Sequence, residues 1–153
     1  MRYVAIALLT SVCCLSWAGV LPNSAREELL KSTLSMFWGH AKLSDGSVVQ
    51  PENEQERRTL PVSRDVANQV LDVGELSGLA MWCGLDWQSH YLSMTAATRK
   101  NGFNEKQVAF IGVLHGAAQG IVVKAMELAS CGASDRIKVM EMMQHSTYKR
   151  FLR

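Results

Sequence analysis

One stretch limits what this chain can fold into more than any other. Residues 107–123, QVAFIGVLHGAAQGIVV, carry no charge, and Lys106 and Lys124 close the run at either end. Gly112, Gly116 and Gly120 recur every fourth residue inside it, with His115 and Gln119 between them. Each glycine costs a helix interior about 0.8–1 kcal/mol against alanine. A run that accepts three of them at helical spacing predicts close backbone approach along one side. The run is shorter than the roughly 20 apolar residues a bilayer crossing needs, and it holds two polar side chains. The expectation is therefore a central helix, covered by neighbours on most sides, with no transmembrane span in the mature chain.

Gly74 and Gly78 form a matching small-residue pair in the preceding helical pattern. Glycine-against-glycine packing of these two helices is the main structural expectation, by analogy with close helix pairs in membranes. On a helical wheel His115 and Gln119 lie beside Val108, Ile111, Val122 and Met126. They are expected to be buried and partnered. The alternative is a pocket around His115 and Gln119, with His90 and Glu75 as the nearest helpers.

Helical periodicity runs through the rest of the chain, with no sustained alternation of the strand type. The first helix is expected from Pro22-Asn23-Ser24, with Ser24 and Glu27 as a capping box. Leu29, Leu30, Thr33, Met36 and Phe37 share one side of it, to about Gly39. The second starts at Ser63, with Val66, Val70, Val73, Ser77 and Met81 on one side and Asp65, Asn68, Asp72 and Glu75 on the other. Gly84 supplies a left-handed stop. Asp86 caps the third, which ends at Arg99-Lys100-Asn101-Gly102. Asn104 and Gln107 form a second capping box, opening a helix expected to reach about Ser130. Ser134 and Asp135 begin the last. Residues 41–61, with Pro51 and Pro61 around ENEQERR, read as a solvated connection containing a turn at Asp45-Gly46. The expected fold is all-α, an irregular or orthogonal bundle of four to five helices forming one domain over residues 19–153.

Arg2, the apolar residues 4–15 and Ser16-Trp17-Ala18 have the pattern of a signal peptide spanning 1–18. Removing it takes Cys13 and Cys14 away and leaves Cys83 and Cys131 in a periplasmic or secreted protein, where one disulfide is expected. The spacing raises a conflict. A fourth helix of about 26 residues and a third of about 14, at 1.5 Å per residue, carry Cys131 past Cys83 by somewhat under about 20 Å. Bridged Cα atoms lie about 5.5 Å apart. Steep crossing or a bend is needed to keep the bridge.

The net charge of +2 on 153 residues gives no electrostatic footprint for nucleic acid. No HExxH, CxxC, phosphate loop or nucleophile elbow occurs, and GELSG (74–78) has the wrong spacing for the last. No cofactor is implied. Met140, Met143 and His145 fit a soft-metal set only weakly, because methionines at helical spacing are ordinarily core filler. The basic tail 146–153, with Lys149, Arg150 and Arg153, reads as a solvated end. These features together lead to a non-enzymatic, exported binding or inhibitory protein of the bacterial envelope, acting through a protein partner. The alternative is a small-molecule or metal binder centred on His115 and Gln119.

Overall fold

The structure is a computed structural model, and it describes residues 20–146. The expected signal peptide at 1–18 and the tail residues 147–153 lie outside them. Six helices follow one another among the described residues: α1 (Asn23–Phe37), α2 (Glu54–Arg58), α3 (Arg64–Trp82), α4 (Gln88–Lys100), α5 (Glu105–Ala125) and α6 (Ala133–His145). The only extended pairing among them is an isolated antiparallel bridge between Lys42 and Val48. The chain is all-α, with one helix more than the periodicity predicts.

Local chemistry sets most of the ends. Ser63 Oγ accepts from Val66 N–H at the start of α3. Asn104 and Gln107 bond each other's backbone N–H groups at the start of α5, the reciprocal capping box. Asp86 acts from one residue before the α4 N-cap, its Oδ1 accepting from Gln88 and Ser89 N–H. Gly84 and Gly102 take left-handed φ values of 63° and 78° after α3 and α4. The capping box expected at Ser24 is not formed. Helix α1 begins two residues early, with extended Pro22 at its N-cap and Arg26 N–H bonded to Pro22 O. Glu27 pairs with Arg64 instead, at 2.7 Å.

Helix α3 runs through the middle of the fold and shares its most extensive contact with α5. Helix α1 packs on α5 and α6 on α3, while α4 touches both α3 and α5. The main core gathers Leu30, Phe37, Val70, Leu71, Met94, Phe110 and Leu114. Phe37 sits edge-on between Trp38 and Phe110, with centroids 4.8 Å and 5.2 Å away. Full burial of a Phe side chain is worth about 1.5–3 kcal/mol. A second, smaller cluster joins Leu76, Ala80, Cys83, Val122 and Val139 at the far end of α3. Met36 and Met81, expected on buried sides, are 60% and 49% exposed.

Residues 41–61 are not a plain solvated connection. Gly46 turns with φ 85°, Asp45 Oδ1 accepts from Ser47 N–H, and the chain returns so that Val49 bonds Ala41. Val49 is 1% exposed. The charged run ENEQERR forms α2, capped by Asn53 and tied to α5 through Lys106, whose Nζ lies 2.9 Å from Glu56. Trp38 Nε1–H donates to Arg57 O. The segment therefore closes one end of the core.

Cys83 and Cys131 lie at disulfide distance, Cα to Cα 5.1 Å. The conflict over their separation is resolved in two steps: α5 stops at Ala125, about five residues short of its expected end, and the chain then turns back toward α3. Tight turns follow, with Met126 N–H on Val122 O, Glu127 N–H on Lys124 O and Ala129 N–H on Met126 O. Trp82 Nε1–H donates to Ala129 O at 2.7 Å, which holds the returning chain against the end of α3.

Candidate functional site

The seam between α3 and α5 is where the two glycine patterns were expected to meet. A Cβ placed on Gly74 would stand 2.7 Å from His115 O and 2.8 Å from Ala118 Cβ. One placed on Gly78 would stand 2.7 Å from Val122 Cβ and 2.9 Å from Gln119 O. The α3 glycines thus let the backbone of α5 come close. The α5 glycines do not take part in this contact, which corrects the glycine-against-glycine expectation. A Cβ on Gly112 would meet only the Tyr91 hydroxyl oxygen, at 3.3 Å, and Gly116 and Gly120 have nothing within 4 Å of that position. The reason is rotational. Leu114, His115, Ala118 and Val122 face α3, and the glycines fall on the other side of the turn.

Helix α5 is consequently covered less than expected. It is long and apolar enough to cross a membrane by length and composition, yet only 39% of its most apolar window is buried. Val113 and Ile121 are 37% and 39% exposed beside the open glycines.

His115 is 1% exposed, and its Nε2 lies 2.9 Å from Ser77 Oγ on α3. Tyr91 packs against the imidazole at 4.9 Å between centroids, and Trp87 stacks at 6.5 Å. Burial pushes the His115 pKa down to about 4, so the ring is neutral near pH 7. Gln119, the expected companion of His115, turns to the seam's edge, where its Nε2–H donates to Met81 Sδ at 3.7 Å.

Glu75 was read at the border of a polar helix side, and it is 1% exposed. Its Oε2 accepts from Leu21 N–H at 3.0 Å, and its Oε1 lies 2.7 Å from Arg26 Nη2. Arg26 also bonds Asp72 at 2.6 Å. Burial works against the Arg26 charge, but the hydrogen bonds and charges of Asp72 and Glu75 more than offset it and hold its pKa above the usual value. This is an α1–α3 tie, and it engages the carboxylate away from His115. His90, on α4, is 8% exposed with Nε2 3.3 Å from Met143 O. Met140 is 44% exposed on α6, and His145 Nδ1 lies 2.8 Å from Glu141 O of its own helix. No group of three or more His, Cys, Asp or Glu placed to hold a metal occurs among the described residues.

Chemically, a Ser–His pair needs an approach for substrate and a group that orients the imidazole. Ser77 and His115 are both sealed, at 2% and 1% exposure, and no carboxylate among the described residues bonds the ring. The arrangement serves as a buried, satisfied polar contact across the seam.

An open groove of about 590 Å³ lies on the opposite side of Tyr91, between α4, α5 and residues 42–44. Tyr91, Thr95 and Arg99 form one wall, Gly112 lies in the floor, and Lys42 stands at the lip. Sequence reasoning missed it. The four-residue steps of Tyr91, Thr95 and Arg99 on α4 were the available signal. Comparison with protein-family models, with curated proteins and with solved structures finds no match.

Proposed function

We propose that the chain is a non-enzymatic, exported binding protein of the bacterial envelope, an irregular helical bundle whose partner is a protein seated on the open edge of α5. One observation carries this reading. His115, Ser77 and Glu75 are sealed and engaged within the fold, while the apolar helix α5 turns Val113, Gly116, Gly120 and Ile121 outward. Exposed apolar surface bordered by polar residues is a common mark of protein contact. The sealed His115 favours a protein partner over a small molecule held at His115 and Gln119. The 1–18 pattern and the cysteine pair at disulfide distance support export. The His115–Ser77 contact supports α5 as a core helix rather than a span.

The test is photo-crosslinking in intact cells, with a photoreactive residue at Ile121 and, as control, at exposed Lys138. A discrete adduct with a different protein is expected from position 121 only, on a chain whose mass shows loss of residues 1–18. No adduct at 121, the same ladder from both positions, or an adduct of twice the chain's own mass would reject the reading.

A further inference from the structure

We propose that the groove between α4, α5 and residues 42–44 is a binding site for a small anionic amphiphile, a carboxylate on an unbranched apolar chain. This does not rest on the protein-partner reading, and either can fail without the other.

The groove is two-ended. At one end stand Lys42, Arg99 and Glu105; toward the other lie Val108, Gly112 and Val113. Glu105 is in the first turn of α5, where a carboxylate is favoured, and it accepts a hydrogen bond from Ser44 Oγ at 2.7 Å. Arg99 and Lys42 form no ion pair among the described residues. The charged end therefore offers two free cations against one engaged carboxylate, and an anion is the complementary head group. Arg99 presents a planar fork of donors that matches a carboxylate bidentately.

Asn104 Oδ1 already takes the Gln107 N–H in the first turn of α5, so the cationic side chains carry the charge of this end. The phenolic oxygen of Tyr91 hydrogen-bonds no other described group, and it lies over the floor at Gly112. Gly112 acquires a reason here. It keeps the floor clear beside Tyr91, where any side chain would crowd the phenol at 3.3 Å. From Glu105 to Val113 the floor is about 12 Å long at 1.5 Å per residue. A volume of about 590 Å³ is that of a small-molecule site. The length and the one-ended charge select a medium-chain amphiphile over a compact, multiply charged ion.

Decanoate below its micelle concentration is the probe, titrated into the full chain by calorimetry and by amide shifts in NMR spectra. Saturable one-to-one binding is expected, with shifts at Arg99, Gly112 and Val113. Decanol and decyltrimethylammonium are expected to bind at least about ten-fold more weakly, as is decanoate to the K42E/R99E double variant, since tenfold is the scale of one lost charge contact. K138E should bind like the parent. Circular dichroism and the thermal midpoint establish that each variant is folded, and R99Q serves as the milder change if K42E/R99E is not. Equal affinity for all three amphiphiles, unsaturable binding, shifts centred elsewhere, or parental affinity in the folded charge variant would overturn the proposal.

Discussion

Along α5, the side turned to α3 sets His115, Ala118 and Val122 against Gly74 and Gly78, with added Cβ atoms meeting neighbours at 2.7 Å. The side turned away carries three glycines of its own, two of them with nothing within 4 Å. Glycines at the same spacing therefore have opposite physical roles in two adjacent helices. A close helix pair needs the small residue on only one partner when the other offers alanine, valine or a bare carbonyl in register. On α3 the loss of helix propensity is offset by packing. On α5 no such packing offsets it at Gly116 and Gly120, which stand in open space.

The comparison is broken most severely at α3. Gly74→Leu and Gly78→Leu are each expected to lower the unfolding free energy by about 3 kcal/mol or more, because backbone carbonyls and the fixed Cβ atoms of Ala118 and Val122 stand in the way. Chemical denaturation measures it, and a near-neutral result at either position would mean the seam is not closely packed.

Acid probes the same seam next. His115 ionises at about 4 in the folded chain, below the 6.5 of an unperturbed imidazole, because burial disfavours the cation. The unfolded chain then binds the proton more tightly. The stability from keeping this ring neutral is complete above about pH 6.5 and is lost as pH falls toward 4. The full difference is about 3 kcal/mol. Denaturation at stepped pH should show this loss in the parent and a flatter profile, over that window, in His115→Gln. Parallel profiles would place the ring in contact with water.

The smallest effect has the opposite sign. Gly116→Ala, in open space on a helix, should raise stability by about 0.8–1 kcal/mol. A loss there would reveal a neighbour over α5 that the isolated chain does not contain, and would sharpen the contrast with Gly74.

Several helix boundaries were legible because capping is local. Ser63 and Asn104 with Gln107 act at starts, and Gly84 and Gly102 at ends, each within a few residues of itself. The end of α5 was not legible. Met126 and Leu128 continue an apolar pattern, and the stop comes from turns clasped by Trp82, 47 residues back in the chain. Glu75 was placed on a polar side because periodicity cannot see Arg26, which arrives from α1 and makes burial tolerable. Val49 has no helical or strand period around it, so its burial under residues 41–61 left no trace in the pattern. At the site, the burial of His115 could be read from the uncharged run. Ser77 as its partner depends on how α3 meets α5, and the groove beyond Tyr91 needs residues 42–44 beside the Tyr91, Thr95 and Arg99 row, so neither could be read from one helix alone.

Cys83 and Cys131 lie at disulfide distance on either side of α4 and α5, so a bridge between them would enclose both helices in a covalent ring. A single proteolytic nick inside that ring, for instance after exposed Lys100 beside the Gly102 turn, would open the backbone without releasing a fragment. In an oxidising environment a bridged chain cut in that turn would still travel as one piece.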